Sequence, residues 1–399
     1  MLETNQIKNI AIIGAGVQGH SIAQSALMGN FNKVVLNDLS MELIEKGAKQ
    51  IKYDIFYGLE RLKSRGRLRD GLTPKEIMEK LVKETDLEKA VSSSEFIIEA
   101  IPEKIRLKKD LFKNLGKYAP ESTVLATNTS TMSITELGKA SGREDRVVGM
   151  HFFIPIALKL IEITRGANTS DKTVENACDV AQNLYCLRGQ RVIHQLEKET
   201  PGFIANRIIA SCFIYFNWVL DKTIKKGITY EQIDADLTDF APRGLCYICD
   251  IIGLDTVYLV LKYLENTVSP DFTPGKILTD LVKQGNLGRK SGKGFYEWRN
   301  SQIPIIDKSK KSGNLNFNVI VAIMLNESCR LLENGIISGY KTIDKIISAG
   351  YDIPGPFILG KKRYEEYSKL LEDIAEKCGK QYLKPCNLMK SGSFLKMRK

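Results

Sequence analysis

The sequence predicts an α/β protein: a Rossmann-type, doubly wound, mostly parallel sheet followed by one or two all-helical domains. Three observations predict it. An apolar stretch, Ile10-Ala11-Ile12-Ile13, runs into glycines spaced G-x-G-x-x-G at Gly14, Gly16 and Gly19. Short apolar runs then alternate with amphipathic stretches to about residue 195, as in successive β-α units. After Thr200-Pro201-Gly202-Phe203 the chain changes character and long apolar-periodic helices take over.

The opening stretch reads as a strand turning tightly into a helix. In such a motif the first glycine permits the turn, the second lets backbone approach a pyrophosphate, and the third lets helix pack on strand. The next apolar run, Val34-Val35-Leu36, ends at Asp38. An acidic residue there suits the ribose hydroxyls of NAD and repels the 2′-phosphate of NADP. A glycine turn beside a solvated aspartate is the bland alternative; four features agreeing in order favour the dinucleotide.

Further along, the sequence predicts one helical stretch from Met41 to about Lys63 and a basic turn through Arg65, Arg67 and Arg69. Thr73-Pro74 then has the form of a helix start. Lys52 to Lys83 is thus expected to form a helical hairpin with a basic tip, either a solvated charge run or a seat for a phosphate-rich ligand. Strands are expected at 95–101, 123–126, 146–150 and 159–163. One ends before the polar cluster Asn128-Thr129-Ser130-Thr131 and another before His151. Open α/β sheets place their ligands at such strand ends. Of three histidines, His151 alone lies at such an end beside that cluster. An imidazole titrating near neutrality, steadied by a carboxylate, suits proton removal from a hydroxyl. Glu162 can return to it across the Pro155-containing connection; a core histidine satisfied by backbone is the alternative.

The 399 residues exceed what one hydrophobic core usually supports. The expected domains are 1–197, 198–300 and 301–399. Hydrophobic and charged contents of 43% and 26% are those of an ordinary globular chain. The longest nearly apolar run, Ile208 to Leu220, is too short to span a bilayer, and the first residues carry no secretory pattern. A cytoplasmic enzyme acting away from membranes is expected. The net charge of +11 is spread along the chain, favouring a polyanionic ligand or a lysine-rich surface over nucleic acid. Of eight cysteines only Cys246 and Cys249 form a C-x-x-C pair, without the second pair of a zinc ribbon. They are expected as neighbours on a helix, with no metal. Four glycines within Gly285 to Gly294 point to a constrained loop.

The last hundred residues echo the helical part. Asn217, Gly227-Ile228, Ile233-Asp234 and Gly244 are matched at nearly constant spacing by Asn326, Gly335-Ile336, Ile343-Asp344 and Gly355. This suggests a duplicated helical unit. Ile320, Ile323, Met324 and Leu331 fall near a helical stripe that needs covering.

From residue 7 to 300 the chain resembles the L-3-hydroxyacyl-CoA dehydrogenases of β-oxidation and butyrate-type fatty acid metabolism. The resemblance rests on Gly14 to Gly19, Glu99-Ala100-Ile101-Pro102-Glu103 with Lys108, Asn128 to Ile134, His151-Phe152-Phe153, Lys159 to Glu162, Pro201 to Arg207, and Gly285 to Tyr296. It implies NAD as cofactor and an acyl-CoA as substrate. His151 would be the acid/base paired with Glu162, while Ser130 and Asn206 position the hydroxyl and thioester carbonyl. Glu103 and Lys108, with Asn128 and Ser130, would help hold the cofactor's ribose and nicotinamide, and the basic hairpin would meet CoA. The implied reaction is reversible oxidation of a (3S)-3-hydroxyacyl-CoA; dehydrogenation of a free hydroxy acid or sugar acid, or a catalytically silent relative, are the rivals. Three departures stand out. Gln18 replaces the family's usual Met, Ile154 its usual Asn, and the His151–Glu162 gap is one residue short. Shorter members pair two helical domains across a dimer, so the second copy implies a monomer or a non-standard oligomer.

Overall fold

The computed structural model describes residues 7–68, 71–130, 132–196, 198–239, 243–298 and 304–398. The chain folds into two compact units, one of residues 1–199 with 349–351 and one of 200–348 with 352–399. The change of sequence character at Thr200 coincides with that boundary.

The first unit runs β1 (Asn9–Ile13), α1 (Val17–Leu27), β2 (Lys33–Asn37), α2 (Met41–Tyr53), α3 (Leu59–Ser64), α4 (Pro74–Glu79), β3 (Leu81–Glu84), α5 (Leu87–Val91) and β4 (Phe96–Glu99). It continues with α6 (Ile105–Tyr118), β5 (Val124–Thr127), α7 (Ile134–Ser141), β6 (Val147–Phe152), β7 (Leu160–Arg165), α8 (Asp171–Asn183) and β8 (Val192–Leu196). The strands form one sheet in the order β3-β2-β1-β4-β5-β6-β7-β8. All neighbours are parallel except β6 and β7. Because side chains alternate along a strand, Ile10, Ile12, Leu36 and Ile98 join the core on one face while Ala11, Ile13, Val35 and Ile97 join the other. Burial on both faces explains why these strands read as continuous apolar runs. The order reverses beside β1, opening a crevice at the carboxyl ends of β1 and β4.

Two expectations for the early helices are corrected. The stretch from Met41 is broken after Tyr53, where Asp54 Oδ1 turns back to accept the amides of Phe56 and Tyr57. Leu81–Glu84 is not the end of a helical hairpin but edge strand β3, paired with β2. Its half-buried Leu-Val-Lys-Glu gives little hydrophobic signal, so only pairing reveals it. Arg65 and Arg67 are exposed after α3, and Arg69 lies outside the described residues.

The second unit is helical: α9 (Ala205–Thr223), α10 (Tyr230–Ala235), α11 (Gly244–Ile252), α12 (Leu254–Thr267), α13 (Lys276–Lys283), then α14 (Phe317–Glu333), α15 (Tyr340–Tyr351), α16 (Pro356–Gly360), α17 (Tyr364–Cys378) and α18 (Asn387–Ser391). A shared device starts α11 and α16. Asp234 accepts the amides of Cys246 and Tyr247 at 2.8 and 2.9 Å, and Asp344 that of Phe357 at 2.9 Å. Only glycine fits beside each carboxylate: a Cβ on Gly244 would lie 2.3 Å from Asp234 Cγ, and one on Gly355 2.1 Å from Asp344 Oδ1. Helix α14 packs on α9 and α17, burying Ile320, Ile323, Met324 and Leu331. The polar stretch before it is pinned, because Asp236 accepts the Ser312 hydroxyl and the amides of Gly313, Asn314 and Leu315. Between Gly285 and Tyr296 the chain is a loop with one 3₁₀ turn, Arg289–Ser291. Cys246 and Cys249 are buried neighbours on α11, their thiols pushed well above the ordinary range by burial. Among the described residues no His, Cys, Asp and Glu group could hold a metal, and no single helix is long and apolar enough to cross a membrane.

Candidate active site

The glycine run forms the tight turn its spacing requires. Gly14 sits at φ 105, where L side chains are strained, and a Cβ there would lie 2.7 Å from the Ala100 carbonyl oxygen. At Gly19 a Cβ would lie 1.7 Å from the Gly14 carbonyl oxygen, so α1 can pack this tightly only with glycine. Gly16 differs: it is exposed at the N-cap of α1, and a Cβ would meet nothing within 4 Å. That open backbone beside a helix start fits a pyrophosphate. Asp38, just past β2, accepts the Ala15 amide at 2.7 Å and the Leu39 amide at 2.7 Å.

At the end of β4 lies a buried ionic cluster. Lys108, on α6, is 1% exposed and Glu99 is 0%. Lys108 Nζ lies 2.5 Å from Glu99 and 3.1 Å from Glu103. Burial pulls its pKa down, but the two carboxylates more than reverse this and leave it above the ordinary lysine value. Lys108 therefore faces inward and holds the carboxylate of Glu103 in place. Glu103 also accepts the Thr129 hydroxyl and, at 3.1 Å, the Ser130 amide. Glu99 also takes the Thr127 hydroxyl at 2.5 Å; nothing in its spacing marks it in the sequence as the lysine's counterion.

Strands β6 and β7 bring the next pair together. Their connection is short, so they run antiparallel, and His151 falls opposite Glu162. His151 Nδ1 lies 2.8 Å from Glu162 Oε2, with both residues buried. His151 is inside β6 rather than beyond it. Asn128, at the end of β5, accepts the Phe152 amide at 2.9 Å. Arg191 holds the connection from below: its guanidinium donates to the carbonyls of Pro155, Leu158 and Leu184, and burial lowers it to about 10.

The carboxyl ends of β1, β4, β5 and β6 thus gather Gly14, Gly16, Gly19, Glu103, Asn128, Ser130 and His151 in the first unit. Thr131 lies outside the described residues. Asn206 is the second residue of α9 in the other unit, half-buried, after a turn in which Phe203 takes φ 49.

A doubly wound sheet with a glycine-rich first turn, an acidic residue after β2 and a buried His–Glu pair at a strand end defines a dinucleotide-dependent oxidoreductase. Residues 9–194 match the 3-hydroxyacyl-CoA dehydrogenase NAD binding domain and residues 202–298 the C-terminal domain of the same family. The mitochondrial hydroxyacyl-coenzyme A dehydrogenase of Rattus norvegicus is 34% identical over 305 residues, covering 73% of this chain and 92% of that one. A probable 3-hydroxybutyryl-CoA dehydrogenase of Deinococcus radiodurans is 34% identical over 291 residues, 72% and 99% of the two chains. The fold is shared with Escherichia coli 3-hydroxybutyryl-CoA dehydrogenase, with a TM-score of 0.76, 24% identity and 98% of each chain covered. The chain belongs to the 3-hydroxyacyl-CoA dehydrogenase family. Its cofactor is NAD.

Proposed function

We propose that the protein interconverts (3S)-3-hydroxyacyl-CoA and 3-oxoacyl-CoA, with His151 as acid/base. The observation that carries this is the buried 2.8 Å contact between His151 Nδ1 and Glu162. With Nδ1 committed to the carboxylate, Nε2 is the nitrogen that exchanges a proton with the substrate oxygen. Glu162 steadies the ring and offsets the charge of the imidazolium formed when His151 takes the hydroxyl proton. Ser130 and Asn206 position the hydroxyl and the thioester carbonyl. The Gly14–Gly19 turn receives the pyrophosphate, Asp38 the adenosine ribose, and Glu103, with Asn128 and Ser130, the nicotinamide ribose region. Bound NAD supplies the hydride acceptor. In reverse, His151 returns the proton to the 3-oxo oxygen.

The CoA thioester is favoured over a free acid by the CoA substrates for which its relatives are named and by exposed Arg65 and Arg67, cations suited to phosphates. NADH oxidation measured with acetoacetyl-CoA and with free acetoacetate tests the reading. Turnover confined to the thioester supports it; preference for the free acid replaces it with a hydroxy-acid dehydrogenase, and silence on both makes the chain a non-catalytic relative.

We further propose that residues 301–399 are a second, degenerate copy of the helical domain. The supports are the same order of helices and the paired Asp–Gly helix starts at Asp234 and Asp344. The copy packs on α9 within one chain, which makes the protein a monomer or an oligomer unlike the dimer of shorter members.

A further inference from the structure

Gln18 stands where the family usually carries Met, and its side chain ties two parts of the site together. It is the second residue of α1, the helix that follows the glycine turn. Its Nε2 donates to the Phe153 carbonyl at 2.9 Å. Its Oε1 is buried and, among the described residues, has no hydrogen-bond partner. A buried amide oxygen without a donor carries a desolvation cost that only an incoming donor removes.

The last two residues of β6 and the one after them are thus held in succession. Glu162 holds His151 Nδ1, Asn128 holds the Phe152 amide, and Gln18 holds the Phe153 carbonyl. The Phe153 ring in turn meets the His151 imidazole edge-on, with centroids 4.6 Å apart. Of the three tethers, only Gln18 comes from the helix that receives the dinucleotide.

We propose that Gln18 couples cofactor binding to the position of His151: Nε2 fixes the His151–Phe153 segment, and Oε1 accepts an N–H from the carboxamide of bound nicotinamide. The inference rests on His151 as the base and on the Gly14–Gly19 turn as the NAD cradle. Hydride transfer requires the nicotinamide beside the carbon whose hydroxyl meets His151. The ring must then lie against the segment that Gln18 holds, and the carboxamide is that ring's N–H donor. A methionine could supply neither bond.

The test uses the full chain with Gln18→Met and Gln18→Glu. Calorimetry compares binding of NAD⁺ with that of its 3-acetylpyridine analogue, in which a methyl ketone replaces the carboxamide and removes the N–H. One neutral hydrogen bond corresponds to a roughly three- to tenfold change in affinity. The ratio of the two affinities should fall by about that factor in Gln18→Met, which is expected to fold because Met matches Gln in length and helix propensity. Gln18→Glu keeps the acceptor and loses the donor, so it should keep the wild-type ratio yet turn over acetoacetyl-CoA more slowly. An unchanged ratio in Gln18→Met overturns the carboxamide contact, and wild-type turnover in Gln18→Glu overturns the tether. His151→Ala is the separate control: full turnover there would defeat the catalytic reading while leaving the binding comparison intact.

Discussion

Arg207 Nε lies 2.8 Å from Glu327 Oε1, an ion pair between α9 and α14 in which the side chains are 10% and 1% exposed. The Tyr382 hydroxyl donates to Glu327 at 2.9 Å and accepts from Arg207 at 3.0 Å, and Arg330 lies over its ring. Burial lowers the Arg207 pKa, and Glu327 with Tyr382 more than reverses this. Removing one partner of a buried pair strands the other charge, at a cost of about 3–5 kcal/mol. Glu327→Ala should therefore be strongly destabilised, as a lower urea midpoint at unchanged slope. A loss below about 1 kcal/mol would show that water reaches Arg207 and compensates it.

The same pair bears on truncation. Cutting the chain after Asn300 removes Glu327 and uncovers the face of α9 on which α14 packs, where Cys212 lies against the Ile320 carbonyl. The expected outcome is aggregation or lost stability, while the full chain sediments as a monomer or as an oligomer unlike the dimer of shorter members. A well-folded, active truncated dimer would defeat the covering role given to residues 301–399.

His151→Ala should lower kcat by about a hundredfold or more, since a general acid/base contributes roughly that much. NADH affinity should be nearly unchanged, because the glycine turn and Asp38 remain. Glu162→Gln should cost less, keeping a partner for Nδ1 but losing the charge that stabilises imidazolium. Steady-state rates and NADH fluorescence titration check both; a His151→Ala protein with most of its rate would end the dyad assignment.

Asp38 should make the enzyme prefer NADH over NADPH. Leu39 and Ser40 follow it, so no adjacent cation would offset a 2′-phosphate. The check is the ratio of kcat/KM for the two reductants, and a value at or below one contradicts it.

Asp234 should leave a mark on the pH dependence of stability. Burial pushes its carboxyl from 3.8 up to about 6, an effect that the amides of Cys246 and Tyr247 and the Tyr296 hydroxyl only partly offset. The folded pKa is raised, so the native state holds the proton more tightly than the unfolded chain between those values. This contribution is full below the unfolded pKa and is lost as pH rises through about 6. Asp234→Asn should remove that component, giving a flatter change in urea midpoint between pH 4 and 6.5 than the wild type shows. Identical slopes would contradict the assignment.

The parts of this protein written in local sequence are those that local chemistry specifies. Strands buried on both faces must be continuously apolar, a turn packed against Ala100 must be glycine, and a helix broken off from a sheet leaves Thr200-Pro201-Gly202 as its mark. Hence β1, β2, β4, β5, β6, the glycine turn and the transition to helices were legible, as were the strand ends that carry Asn128, Ser130 and His151. The tertiary structure alone decided what depends on partners distant in sequence. Leu81–Glu84 is a strand because β2 lies beside it. Lys108 turns inward because Glu99 and Glu103 neutralise it where burial alone would expel the charge. Gln18 reaches Phe153, Arg191 the β6–β7 connection, and Arg207 meets Glu327 only after the chain has closed loops of very different lengths. Periodicity records which face of an element is buried; it does not record which charge or amide waits on the other side.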